Sequence, residues 1–234
     1  MNLPKLETPK YQLTVPSTQK EVNFRPFLVK EEKILLIAQE SGEESSYIKA
    51  MRDIVESCTF GEIKMNDLTS FDLEFIFLKL RAKSVGEDTE IGVKCPKCEE
   101  ENTIKVNLDD ISPTESEPLP SKIKLTDKIG IVPQYIKIDS LIKIADIEDQ
   151  GDILTQTISA TIESIYGESN VYPISEASDE DVKEFIESLN REQLEKIETI
   201  ADTIPKIEKT ISFKCKKCAA ENEETIRGID SFFE

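Results

Sequence analysis

Lys94-Cys95-Pro96-Lys97-Cys98 and Lys214-Cys215-Lys216-Lys217-Cys218 decide the reading of this chain. Glu90-Ile91-Gly92-Val93 leads into the first motif and Thr103-Ile104-Lys105-Val106 leaves it. Thr210-Ile211-Ser212-Phe213 leads into the second and Glu224-Thr225-Ile226 leaves it. Such alternation predicts strands, so each motif reads as strand, Cys-x-x-Cys turn, strand. In both, an asparagine follows four residues after the second cysteine, at Asn102 and Asn222. A Cys-x-x-Cys turn gathers two thiolates and several backbone N–H groups about one point. Two such turns complete the tetrahedron that zinc favours, with Zn–S near ~2.3 Å. The lysines beside the cysteines partly offset the negative charge of four thiolates. The pattern predicts one structural zinc per chain, bound by Cys95, Cys98, Cys215 and Cys218.

The stretch between Cys98 and Cys215 far exceeds the spacing of an ordinary zinc ribbon, so it reads as an insertion whose ends meet at the metal. Closing so long a loop costs entropy only logarithmically, and zinc–thiolate binding can supply on the order of 10 kcal/mol. Three other readings exist for the cysteines. Disulfides are disfavoured in a cytosolic chain. A redox pair usually opens a helix after a strand, whereas these pairs lie between strands. The cysteines could also be vestigial. Glu99 and Ala219 stand where common zinc knuckles carry glycine after the second cysteine.

Outward from the knuckles, the chain alternates between strand and helix signals. Residues 1–29 are punctuated by Pro4, Pro9, Pro16 and Pro26, and Tyr11-Gln12-Leu13-Thr14-Val15 alternates, which predicts a hairpin turning at Pro16-Ser17-Thr18. A helix is expected over 30–41. Ile48, Met51, Val55 and Cys58 form the stripe of a second. A third starts at the capping signal Thr69-x-x-Asp72 and runs to about Lys83. Phe71, Phe75, Leu78 and Ala82 line one of its faces and Leu73, Ile76 and Leu80 another, so it is either buried centrally or packs a partner. Ser112 to Ser121 reads as a loop. Residues 122–148 begin with strand-like alternation at Ile123 and Leu125 and end in a short helix around Ser140–Ala145. A longer helix is expected over about 150–166, with Leu154, Ile158, Ile162 and Ile165 inward. Two more stripes follow: Val182, Phe185, Ile186 and Leu189, capped by Ser178, then Leu194, Ile197, Ala201 and Ile204, stopped by Pro205. The expected fold is α+β. Residues 1–85 form a β-hairpin and helical N-terminal region, 86–111 the first knuckle hairpin, 112–208 a helical insertion that splits the four-Cys zinc ribbon, and 209–234 the second knuckle hairpin and C-terminal tail.

Composition narrows the function. The chain has 47 acidic and 29 basic residues and a net charge of −18. Nucleic-acid binding draws on Lys and Arg neutralising phosphates, so this charge argues against it. It also disfavours anionic membranes and points to protein partners, some with basic patches. The competing reading is that the charge only keeps the chain soluble. No run approaches the roughly 18 apolar residues of a membrane helix. Met1-Asn2-Leu3-Pro4-Lys5 shows no secretory signal, so a cytosolic setting is expected. Histidine is absent, which excludes Ser-His and Cys-His catalytic devices and disfavours a catalytic zinc. Cys58 lies on an apolar helix stripe and reads as a small buried residue. No phosphate-binding glycine loop is present.

Tyr11-Gln12-Leu13-Thr14-Val15-Pro16-Ser17-Thr18 and the run Phe24-Arg25-Pro26-Phe27-Leu28-Val29-Lys30-Glu31-Glu32-Lys33 resemble the baseplate hub assembly proteins of T-even-like contractile-tailed bacteriophages. The resemblance continues through Ser178-Asp179-Glu180-Asp181-Val182-Lys183-Glu184-Phe185-Ile186-Glu187-Ser188-Leu189 and closes with the second knuckle and Gly228-Ile229-Asp230-Ser231-Phe232-Phe233. It implies a non-enzymatic viral tail-assembly protein, chaperone or component, that binds phage baseplate hub or tail proteins in the host cell cytoplasm and takes no small-molecule substrate. The alternative is a zinc-ribbon nucleic-acid-binding or redox protein. Within the signature run, Phe24, Arg25 and Phe27 are candidate partner-binding residues; equally, the run is how one helix docks onto its core.

Overall fold

Leu13, Val15, Val22 and Phe24 alternate with polar residues and are buried, which makes the N-terminal stretch an antiparallel hairpin with one apolar face. In the computed structural model, which describes residues 6–228, its strands are β1 (Tyr11–Thr14) and β2 (Glu21–Phe24), with Tyr11 opposite Phe24 and Thr14 opposite Glu21. The turn lies at Pro16-Ser17-Thr18, as expected. The Val15 amide donates to the Lys20 carbonyl (2.9 Å), the Gln19 amide donates to the Val15 carbonyl (2.8 Å), and Gln19 takes a left-handed φ of 56°. The readings made on Met1-Asn2-Leu3-Pro4-Lys5 and on Ile229-Asp230-Ser231-Phe232-Phe233 lie outside the described residues.

Three helices follow, α1 (Val29–Ser41), α2 (Glu44–Cys58) and α3 (Ser70–Ser84). Glu31 accepts the Leu28 amide at 2.8 Å and starts α1, and Gly42, at φ 69°, ends it. The Thr69 hydroxyl oxygen accepts the Asp72 amide, and the Asp72 carboxylate accepts the Thr69 amide in return. The two apolar faces of α3 have a simple cause: α3 runs between two cores. Leu73, Ile76, Phe77 and Leu80 face a core shared with β1, β2 and α2. Leu78 and Ala82 face a second core, built from the two knuckle hairpins together with Leu108, Ile111 and Ile207. Those hairpins are β3 (Asp88–Lys94) with β4 (Glu101–Asn107), and a later antiparallel pair that closes the described chain.

The segment between the hairpins is not wholly helical. It opens with the expected loop and strand, β5 (Ile123–Lys124), and continues into β6 (Gly130–Pro133) and α4 (Ile138–Ala145). The expected helix over 150–166 stops at Ala160: α5 covers Gln150–Ala160, and Ile162–Tyr166 is strand β7, paired with β6 and with β8 (Val171–Pro173). Leu154, expected inward, is 55% exposed. The segment thus holds a four-stranded antiparallel sheet in the order β5-β6-β7-β8. Gly130 belongs to this sheet because a Cβ there would collide with the Tyr166 ring and the Ile123 carbonyl.

Helices α6 (Asp179–Glu187) and α7 (Arg191–Glu198) cover the sheet, with Ser178 capping α6 as expected. After α7 the chain tightens into a 3-10 turn over Thr199–Thr203. The tighter turn rotates the stripe, so that Ile200 is buried and Ala201 is exposed, the reverse of a continued α-helix. Ile138 and Ile142 of α4 join the first core, which ties the segment back to α2 and α3. Strands β9 (Glu208–Lys214) and β10 (Glu221–Arg227) form the second knuckle hairpin.

Candidate metal centre

Register aligns the two knuckles. Lys94 faces Glu101 across β3–β4, and Lys214 faces Glu221 across β9–β10. The Cys95 amide donates to the Glu100 carbonyl (2.9 Å) and the Glu99 amide to the Cys95 carbonyl (2.8 Å). The Cys215 amide donates to the Ala220 carbonyl and the Ala219 amide to the Cys215 carbonyl, both at 2.9 Å. Glu99 and Ala219 sit at left-handed φ of 58° and 56°. The turn therefore keeps the conformation that glycine favours even though neither residue is glycine.

This geometry turns all four sulfurs to one point. Their Sγ atoms lie within 4.8 Å of one another. Cys95 Sγ is 3.8 Å from Cys218 Sγ, and Cys98 Sγ is 3.6 Å from Cys215 Sγ, across 117 residues of chain. A disulfide would need about 2.05 Å, and all four cysteines are free. A tetrahedron with Zn–S near 2.3 Å has S···S edges of about 3.8 Å, so the donor set fits a tetrahedral metal ion. Cys95 and Cys215 are buried, Cys98 is half-buried and Cys218 is exposed.

The electrostatics match that fit. Burial pushes the Cys95 thiol up, but the Lys97 and Cys98 amides donate to its sulfur, and the net shift is downward. The Cys218 amide, against burial and helped by the Lys217 amide, holds Cys215 at about 6. The Glu100 amide favours the Cys98 thiolate, but burial and the three neighbouring sulfurs outweigh it and push that thiol up to about 12. Four sulfurs this close cannot all carry charge alone, and a cation among them would remove that repulsion. The flanking lysines do more than offset charge: Lys216 and Lys217 reach to 3.6 and 3.4 Å from the Glu100 carboxylate on the other hairpin.

Two features of the site were not read from the sequence. The paired asparagines cross between hairpins: Asn102 reaches Cys215, and Asn222 reaches Cys95. Their equal spacing after each motif was the signal. The second feature is a third copy of the turn. Val15-Pro16-Ser17-Thr18-Gln19-Lys20 makes the same two backbone hydrogen bonds and the same left-handed fifth residue as Cys95-Pro96-Lys97-Cys98-Glu99-Glu100. There the Ser17 amide donates to the buried Asp72 carboxylate at 2.8 Å.

Phe24, Arg25 and Phe27 are brought together elsewhere, in the first core. All three are buried, and Phe27 stacks on Phe77. The Arg25 guanidinium pairs with Glu31 and the Ser57 hydroxyl. In this position they dock α1 and β2 onto α2 and α3. Cys58 is fully buried beside them, and burial pushes its thiol up to about 11.

A family model described as T4 bacteriophage base plate protein matches residues 8–234. No curated protein and no solved structure gives a significant match.

Proposed function

We propose, because this chain belongs to the T4 bacteriophage base plate protein family, that it is a non-enzymatic tail-assembly protein that binds other phage proteins to build the baseplate hub. The match across residues 8–234 is the observation that carries the reading. The setting is the host cytoplasm during assembly and the tail baseplate of the particle. Two surface properties support protein partners. The net charge of −18 suits basic patches, and Val29, Leu36 and Ile37 leave an exposed apolar stripe along the outer face of α1.

In this reading Cys95, Cys98, Cys215 and Cys218 hold one structural zinc, and the two hairpins form a ribbon split by the segment between them. The closeness of the four sulfurs, two of whose separations match a tetrahedral edge, supports the metal. Zinc would supply a fixed link between hairpins that share no strand pairing. The residues around it hold α3 against the second core and keep the ends of the intervening segment together. Co-purification with hub and other tail proteins tests the assembly role; recovery of a stoichiometric partner is expected, and binding to none of them overturns it. Elemental analysis is expected to find about one zinc per chain. Metal-free native protein with titratable thiols overturns the zinc assignment.

A further inference from the structure

The two knuckles are matched in backbone and differ in one donor. Asn102 is buried, 4% exposed. Its Nδ2 donates to Cys215 Sγ (3.8 Å) and to the Glu100 carbonyl (2.8 Å), while its Oδ1 accepts the Lys216 amide (2.9 Å). Asn222 is half-buried and its Nδ2 makes the mirrored contacts, to Cys95 Sγ (3.6 Å) and to the Ala220 carbonyl (3.0 Å). Its Oδ1 has the Cys95 sulfur at 3.9 Å. The residue that answers to Lys216 in the first knuckle is Pro96, which has no N–H to offer.

We propose that Asn102 and Asn222 are positioning residues for the metal, each locking a ligand on the opposite hairpin, and that Asn102 holds its ligand the more firmly because it also grips the backbone beside Cys215. The argument is local. An N–H donated to a thiolate fixes the sulfur's lone pairs and lowers its donor strength, and groups that orient ligands in this way set how fast a site exchanges metal. Asn102 reads both the sulfur of Cys215 and the amide of the next residue, so it fixes the ligand and its backbone together. Asn222 reads the sulfur and a carbonyl of its own turn. Each amide also bridges the two hairpins. This inference rests on the metal reading above.

The test uses full-length protein loaded with cobalt(II), comparing Asn102→Ala, Asn222→Ala and, as a control on the same hairpin, Asn107→Ala. Asn107 bonds Asp88 and the Asp109 amide. Two readings are taken: the thiolate-to-cobalt charge-transfer band and the rate of metal release to a chelator. Asn102→Ala is expected to move the band to longer wavelength and to weaken metal retention roughly 10- to 100-fold. Asn222→Ala should shift the band as well, with a smaller loss of retention, and Asn107→Ala should leave both readings at wild type. A purely structural role would lower the melting temperature with the band unmoved, and that result overturns the proposal, as does an Asn222→Ala loss larger than that of Asn102→Ala. Should Asn102→Ala fail to fold, the band of the more exposed Asn222→Ala decides. Wild-type protein that takes up no cobalt or zinc overturns the metal reading and this one together. Normal uptake with unaltered variants overturns this one alone.

Discussion

Arg25 Nη2 lies 2.9 Å from Glu31 Oε1, with the two side chains only 11% and 3% exposed. The pair joins the end of the first hairpin to the first turn of α1, and the Ser57 hydroxyl of α2 completes it. Removing Arg25 strips the buried Glu31 carboxylate of its buried partner and leaves it the exposed Lys30 (3.1 Å), the Leu28 amide and the Ser57 hydroxyl. Arg25→Met is expected to cost about 3–5 kcal/mol in urea unfolding, and the double replacement Arg25→Met with Glu31→Met is expected to cost less than the single one. A double variant weaker than either single change would contradict this.

The same pair sets an acid limit. Burial pushes the Glu31 carboxyl up, but hydrogen bonds from Arg25, the Leu28 amide and Lys30 outweigh it and lower it from 4.5 to about 2. A lowered carboxyl stabilises the fold when ionised, so its contribution is full above about pH 4.5 and is lost as pH falls towards 2. Glu31→Gln should flatten that part of the stability-against-pH curve. An unchanged acid limb would assign it to other groups.

Glu99 and Ala219 hold left-handed φ without being glycine. An L-residue in that region costs about 1–2 kcal/mol, part of which glycine gives back in chain entropy. Glu99→Gly and Ala219→Gly are each expected to stabilise by about 0.5–1 kcal/mol, read as a rise of a few degrees in melting temperature. A fall at both positions would show that the side chains make compensating contacts.

Asp72 is fully buried and serves the Thr69 amide, the Thr69 hydroxyl and the Ser17 amide at once. Asp72→Ala removes the reciprocal half of the capping box and orphans buried donors, with an expected cost of about 2–4 kcal/mol. Amide exchange should show Ser17 losing protection while the Cys95 turn keeps its own. Uniform loss across both turns would mean global destabilisation.

The five cysteines should separate by reactivity. Cys58 is sealed in the first core with its thiol raised to about 11. After chelation of the native protein, a thiol reagent is expected to label the knuckle cysteines before Cys58, starting with the exposed Cys218, and Cys58 only on unfolding. With zinc held as proposed, its removal is expected to loosen the second core around Val93 and Phe213 and raise the binding of an apolar dye. Rapid labelling of all five would place Cys58 outside a sealed core.

The knuckles were legible because cysteine pairs at that spacing have few other uses. The same held for α3, where Thr69 and Asp72 announce the start and the double apolar face announces a central position. The sheet inside the intervening segment was hidden by coincidence. Ile158, Ile162 and Ile165 recur at helical spacing, yet the chain leaves the helix at Thr161 and the isoleucines beyond it are β7. A short buried strand next to a helix carries no separate period. Ile200 was missed because the pitch of the chain changes there, which periodicity alone does not record. The roles of Asn102 and Asn222 depend on two hairpins meeting in space. Arg25 illustrates the opposite case: a conspicuous signature residue whose environment is the interior.

The turn at Val15–Lys20 shows what the knuckle backbone asks for. Its inward amides suit an electron-rich acceptor, whether sulfur or carboxylate oxygen. At Cys95 and Cys215 the turn's amides hold sulfur; at Ser17 an amide holds the carboxylate of Asp72, delivered by a helix. The molecule therefore contains two fillings of one backbone turn, sulfur at the knuckles and a carboxylate at the first hairpin. A protein engineer wishing to fasten a knuckle turn without sulfur has the template already written at the other end of α3: bring a buried aspartate to the mouth of the turn.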